Sequence, residues 1–271
     1  MIFFSDLDNT LIFGKRWTLN SDIDSIVGVE RKDELEIAYM TNKGYELLKE
    51  LSQNLNFIPT TARTIEQYKR IHIFKKSIKV KYAIMTNGGN ILIDGDIDKD
   101  WQKRMNIKIK NSLGQEEGKE IATKIIGIES IKNLKTADNI YFYAVLKKAL
   151  SEEIINELKE YFNPKGVSVK NVGKKVYFIP FGVDKHKACV YLKDLIGEND
   201  YFSAGDSIMD ENMLLNSELG FIPASGGLSI QEEICNLKNI KISHESGPKT
   251  SEYILEYLLE KAKSKKFNKI L

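Results

Sequence analysis

Two carboxylates stand two residues apart in Asp6-Leu7-Asp8-Asn9-Thr10, directly after the apolar run Ile2-Phe3-Phe4. In an extended segment Asp6 and Asp8 share a face. Carboxylates that close repel, so one takes up a proton unless a cation is present. Magnesium is such a cation, because hard ions take oxygen ligands. Asp and Asn also end strands in plain turns, so the pair does not decide the matter alone. Three further segments carry related chemistry. Phe57-Ile58-Pro59-Thr60-Thr61-Ala62-Arg63 ends an apolar run in a hydroxyl, a small residue and a base. Thr61 and the N–H of Ala62 suit an anion at a helix start, or Thr61 is an ordinary helix cap. In Gly182-Val183-Asp184-Lys185, Asp184 caps a helix and Lys185 falls in its first turn, where a cation works against the helix dipole. Lys187 is a rival for the same role, and the cap favours Lys185. Ser203-Ala204-Gly205-Asp206 ends another run in acid, and Asp210 follows on the same face of a helix start.

The elements that must position these residues alternate. Short apolar runs at 2–4, 57–58, 82–85, 201–202, 220–223 and 240–242 read as strands. Helical spacing marks 42–54, 65–74, 187–196, 209–215, 230–237 and 251–262. Strands alternating with helices predict an α/β fold with a parallel sheet covered on both faces. In such sheets ligands bind beyond the carboxyl ends of the strands, where Asp6, Asp8, Thr61 and Asp206 fall. From about Asp96 to Ile179 the pattern changes. Charged helical stretches at 119–125 and 151–162 sit among strands at 140–146 and 175–179, as in an inserted α+β unit.

Composition excludes several classes. The 271 residues are 42% hydrophobic and 29% charged, which is globular rather than disordered. A net charge of +2 gives no electrostatic case for a nucleic-acid or membrane-surface partner. The basic tail Lys261–Lys269 reads as a solvated helix end. Two cysteines, Cys189 and Cys235, make neither a disulfide framework nor a four-ligand zinc site. The longest apolar run, Ile140–Leu146, is far short of a membrane span. Acid arrives at Asp6, too early for a signal peptide. The expectation is a soluble cytoplasmic protein.

The four segments, in this order, resemble the motifs of the haloacid dehalogenase-like hydrolase superfamily. Asp6-Leu7-Asp8-Asn9-Thr10 is similar to its first motif, Thr61 to its second, Lys185 to its third and Gly205-Asp206-x-x-x-Asp210 to its fourth. Thr61 and Lys185 lie 124 residues apart, and the inserted unit falls between them. That resembles the branch whose large α/β cap sits between motifs two and three. Thr61-Ala62-Arg63 looks like the branch's Thr-Gly-Arg, and Thr86-Asn87-Gly88-Gly89 like its Asn-Gly turn. The branch includes sugar phosphatases, sucrose-phosphatase-like enzymes and broad metabolite phosphatases. Phe4–Ile12 and Phe57–Ile71 also resemble phosphatase-like proteins encoded with bacterial tellurite-resistance and stress genes. Two positions depart from the pattern. Ala62 stands where relatives often have Gly, and keeps the N–H. Met209 stands where many carry an Asn that touches phosphate, and cannot replace that contact.

The resemblance implies a Rossmann-like parallel sheet core, residues 1–95 and 183–271, and an α+β cap, residues 96–182. It implies a magnesium-dependent phosphatase acting on a small phosphorylated metabolite, a sugar phosphate above all. Asp6 would be the nucleophile and Asp8 the general acid and base. Magnesium would be held by Asp6, the backbone carbonyl of Asp8 and Asp206, with Asp210 bracing the site. Lys185, Thr61 and the Ala62 N–H would bind the phosphoryl oxygens. Arg63 and Asn87 are expected to face the cleft between core and cap. The superfamily's dehalogenases lack the second aspartate, so Asp8 disfavours halide chemistry. A binding or regulatory protein on the same scaffold, or a phosphotransferase, is the alternative.

Overall fold

The computed structural model describes residues 1–17 and 25–267, with side chains through Ser264. The expected basic tail thus lies partly outside the described residues. The strands are β1 (Ile2–Ser5), β2 (Phe13–Gly14), β3 (Ile26–Lys32), β4 (Leu35–Thr41), β5 (Asn56–Pro59), β6 (Tyr82–Met85), β7 (Asn90–Ile93), β8 (Asp96–Ile97), β9 (Ile131–Ala137), β10 (Tyr141–Leu146), β11 (Val167–Val172), β12 (Lys175–Pro180), β13 (Tyr201–Ala204), β14 (Leu219–Ile222) and β15 (Ile240–Ile242). The helices are α1 (Asn42–Asn54), α2 (Ile65–Lys69), α3 (Ile73–Lys76), α4 (Lys99–Lys110), α5 (Gln115–Ile126), α6 (Glu152–Phe162), α7 (Lys185–Ile196), α8 (Glu211–Leu215), α9 (Glu232–Cys235) and α10 (Lys249–Phe267).

The central sheet runs β15-β14-β13-β1-β5, every pair parallel. Alternation along β1 decides what covers it. Phe3 meets Leu48 and Leu51 of α1 and Leu255 and Leu258 of α10 on one face. Ile2 and Phe4 point the other way, onto Ala188, Cys189 and Leu192 of α7. Each such buried side chain contributes about 1.5–3 kcal/mol of apolar burial. This is the α/β sheet expected from the alternating pattern. A Thr60–Ile84 bridge links β5 to β6, which continues into the antiparallel β7 and β8.

The segment 65–74, expected as one helix, is two. The chain leaves α2 because it pairs with β3: Arg31 N donates to Arg70 O at 3.2 Å and His72 N to Val29 O at 3.1 Å. Helix propensity yields to this tertiary pairing. The small antiparallel sheet β2-β4-β3 is also absent from the sequence reading.

Between β8 and α7 lies a four-stranded antiparallel sheet, order β11-β12-β10-β9. Period-two alternation gives it two apolar faces. Phe142, Val176 and Phe178 pack on Ala122 of α5 and on Leu158 and Phe162 of α6. Tyr141, Tyr143 and Tyr177 occupy the opposite face, with Tyr143 and Tyr177 stacked at 5.2 Å. Helix α4 leaves this unit and lays Trp101 and Met105 among the residues that cover Ile2 and Phe4. Trp101 Nε1 donates to Gly88 O at 3.0 Å. No described helix is long and apolar enough to cross a membrane.

Candidate active site

Backbone bonds align three strand ends. Asp6 N donates to Ala204 O at 2.8 Å, Thr60 N to Ser5 O at 2.7 Å and Thr61 N to Ile84 O at 2.9 Å. Asp6, Thr61 and Asp206 therefore leave the sheet side by side. Gly205 permits the closest approach: a Cβ there would lie 2.4 Å from Cβ of Asp210. Asp184 starts α7 by accepting Lys187 N at 3.2 Å, which aims Lys185 inward. Lys185 is 1% exposed. Its ammonium donates to Asp6 Oδ1 and Asp210 Oδ1, each at 2.6 Å. Asp210 Oδ2 accepts Ser207 N at 3.1 Å and Ser207 Oγ at 3.0 Å, so both its oxygens are committed.

The charges are strongly coupled. Burial raises the Asp6 pKa, Lys185 opposes the rise, and Asp210 and Asp206 add to it. Burial alone would lower Lys185, but Asp210 and Asp6 outweigh it and hold the ammonium charged. Asp206 is pushed up to about 7 by burial and then by Asp210, against the pull of Lys185 and a hydrogen bond from Asn9. Three acids thus surround one lysine. Asp6, Asp206 and Asp210 each bring a carboxylate oxygen within 4.8 Å of the others. This donor set fits a hard divalent ion, whose charge would relieve the repulsion that raises Asp6 and Asp206. The Asp8 carboxylate is not part of the cluster.

Instead, Asp8 is held by Arg63 through two hydrogen bonds of 2.7 Å. Burial would raise the Asp8 pKa, but Arg63 brings it below its usual value, with Lys175 and Lys185 contributing. Arg63 also has Nη1 2.8 Å from Oε2 of Glu30, and Arg70 Nε lies 3.0 Å from Oε1 of the same carboxylate. Glu30 is 2% exposed, a buried acid on β3 between two guanidinium groups.

Above these residues opens a cleft of about 1230 Å³. Asp6, Asp8, Thr61, Ala62, Arg63, Lys185, Asp206 and Met209 line it. Thr61 Oγ1 accepts Arg63 N at 3.2 Å. The carbonyl of Ala62 accepts the Tyr141 hydroxyl at 2.9 Å, tying the four-stranded sheet to the loop after β5. Asn87 lies apart from this cleft, in a smaller one between the core and the inserted unit, which Ser168, Lys170, Asp184 and Asn212 also line. Its left-handed backbone (φ 55) turns it into the 86–89 turn, beside this smaller pocket with Asp184 and Phe181. Its buried Oδ1 has no hydrogen-bond partner.

Sequence reading missed Glu30, Tyr141 and Asp138. The Asp138 carboxylate accepts Ile65 N at 3.0 Å and Asn90 Nδ2 at 3.2 Å, and also the Thr86 hydroxyl. The one available signal was Asp138-Asn139, a turn pair between two strands.

A family model described as sucrose-6F-phosphate phosphohydrolase matches residues 1–251. The chain belongs to that family. Membership makes it a phosphoric monoester hydrolase of the haloacid dehalogenase-like superfamily. No curated protein matches the sequence. Among solved structures, the sucrose-phosphatase of Synechocystis sp. PCC6803, in complex with sucrose and phosphate, is similar at TM-score 0.66 and 17% identity, over 96% of this chain and 97% of that one. The subclass IIB sugar phosphatase BT4131 gives TM-score 0.64 and 12% identity, over 96% and 98%. The phosphatase BT1666 from Bacteroides thetaiotaomicron gives 0.57 and 12%, over 95% and 94%. At these identities the likeness to the three structures is one of fold, a sheet core with a cap.

Proposed function

We propose that this chain is a magnesium-dependent phosphatase that hydrolyses a small phosphorylated metabolite, a sugar phosphate, through an aspartyl-phosphate on Asp6. The observation that carries the reading is Lys185 bridging Asp6 and Asp210 beside Asp206, at the strand ends beneath a large cleft. The names of the family and of the similar structures support the substrate class. Residues 1–95 and 183–271 form the core in this reading, and residues 96–182 the cap that selects substrate.

Lys185 occupies Oδ1 of Asp6, which leaves Oδ2 to attack phosphorus in line. The bond to the ester oxygen breaks, and Asp8 gives the departing alkoxide its proton. Asp8 then takes a proton from the water that cleaves the aspartyl-phosphate, which releases phosphate and restores Asp6. Lys185, Thr61 and the Ala62 N–H hold the phosphoryl oxygens and offset their charge. Asp6, Asp206 and the Asp8 carbonyl would hold magnesium, with Asp210 bracing Lys185. Bound there, the ion would supply positive charge to offset that of the phosphoryl oxygens.

Hydrolysis of p-nitrophenyl phosphate with magnesium, and its loss with EDTA, tests this reading. Asp6→Asn retaining full turnover would sink the nucleophile assignment. Tight binding of phosphate esters without turnover would favour a binding protein, and transfer to an acceptor other than water a phosphotransferase.

A further inference from the structure

The wall that the four-stranded sheet gives the cleft carries no acid and no amide. Its polar members are Lys132, Lys147, Lys174, Lys175 and the tyrosines 141, 143 and 177. The four lysines come from three adjacent strands and meet at one corner. Lys132 lies at the start of β9, Lys147 just past β10, and Lys174 and Lys175 at the turn between β11 and β12. Main-chain bonds fix that corner: Lys147 N donates to Ser130 O at 3.0 Å and Leu146 N to Lys174 O at 2.8 Å. Among the described residues none of the four has a carboxylate within 4.0 Å. The chain holds 40 basic and 38 acidic residues, so this imbalance is local.

The acids of the same cleft all lie outside this wall. They are Asp6, Asp8, Asp206 and Glu30, and Glu30 is already between Arg63 and Arg70. A neutral sugar is rich in hydroxyl donors and is gripped by acceptors such as carboxylates and amides. Lysine ammonium groups only donate. Like charges gathered in a concave wall raise the local concentration of anions. Lys185 and this corner line the same cleft of about 1230 Å³, so both open onto one space.

We propose that the substrate is a phosphate ester carrying a second anionic group, a carboxylate or a second phosphate, and that Lys132, Lys147, Lys174 and Lys175 seat that group. The inference rests on the phosphatase reading and narrows its substrate class. The second anion takes no part in bond making; it orients the ester so that its phosphoryl group faces Asp6.

The test uses the full chain with magnesium and two matched pairs of probes: glucose 6-phosphate with 6-phosphogluconate, and fructose 6-phosphate with fructose 1,6-bisphosphate. The member with the extra anion is expected to show a kcat/KM higher by about tenfold or more, shrinking as salt is added. The first pair reads a carboxylate and the second a phosphate. The double variant Lys147→Gln/Lys174→Gln should erase most of that ratio. Lys159→Gln, on the helix covering the other face of the sheet, should leave it intact. Equal kcat/KM within both pairs, or a ratio that survives the double variant, overturns the inference. If p-nitrophenyl phosphate is turned over while the pairs show no preference, the phosphatase reading stands without it. If that ester is not turned over either, both fall.

Discussion

Arg63 grips Asp8 with a matched pair of hydrogen bonds, Nε to Oδ2 and Nη2 to Oδ1, both 2.7 Å. The bidentate fork fixes the carboxylate plane and favours its charged form. Held in this way, Asp8 is in the form that accepts a proton from water. In the proposed chemistry it would have to loosen from Arg63 to donate one to a leaving group, which would couple the first step to a local rearrangement.

Removing that fork should therefore move a pH limb. Arg63 lowers the Asp8 pKa, so Arg63→Gln raises it. An acid with a higher pKa stays protonated to higher pH. The alkaline fall of kcat/KM for a sugar phosphate should shift upward relative to the unaltered enzyme. The maximum should drop by about tenfold, because the carboxylate is no longer oriented. Parallel pH profiles of both proteins check this, and coincident alkaline limbs would separate Arg63 from the proton transfer.

Glu30 should matter for stability as much as for rate. It is 2% exposed and sits between Arg63 and Arg70. Glu30→Gln leaves two guanidinium groups with reduced compensation, at a cost of about 2–4 kcal/mol. Urea denaturation should show the loss, and adding Arg70→Gln should recover part of it. Additive losses in the double variant would mean that the pair is not coupled.

The residues legible in the sequence are those whose place follows from strand ends. Asp6, Thr61, Asp206 and Asp210 each trail or closely follow an apolar run, and Asp184 marks where Lys185 starts a helix. Glu30 was not legible, because its role depends on Arg63 and Arg70, which approach it only after β3 pairs with the chain at residues 70–72. The β3–β4 hairpin itself was hidden by its turn. Asp33 and Glu34 both take positive φ, 48 and 63, where Asn-Gly would have announced a hairpin. For Asn87 the motif located the turn but not which of the two clefts its side chain borders.

The metal-free site should be destabilised by its own acids. Asp206 stands at about 7 when folded, against an ordinary value of 3.8. Between those values the folded chain holds more protons than the unfolded one, so this contribution to stability falls as pH rises through that window. In EDTA, Asp206→Asn should melt higher than the unaltered protein at pH 8, by roughly 1–3 kcal/mol of stability. The gap should close toward pH 4. With magnesium added the order should reverse, since the variant has lost a ligand. Melting curves over pH 4–8 with and without the metal check both signs; a variant less stable in EDTA at pH 8 would refute the repulsion argument.

Asp8 separates the proposed chemistry from a plain metal site. Its carboxylate faces Arg63 and stands apart from the Asp6, Asp206 and Asp210 cluster, so any role toward magnesium falls to its backbone carbonyl. Asp8→Asn keeps the size, the carbonyl and one acceptor for Arg63. Metal affinity should change little. Proton transfer should be lost, at about 10²–10⁴-fold in turnover, or ~3–5 kcal/mol of barrier. The loss should be larger for sugar phosphates, whose alkoxides need a proton to leave, than for p-nitrophenyl phosphate, whose anion leaves without one. Breakdown of the aspartyl-phosphate should slow for both esters, because the same carboxylate activates water. Rapid-quench turnover on both esters, with metal titrations alongside, distinguishes these effects. An Asp8→Asn enzyme that cannot bind magnesium tightly, yet turns over sugar phosphate normally at saturating metal, would make Asp8 a ligand and refute its acid–base role.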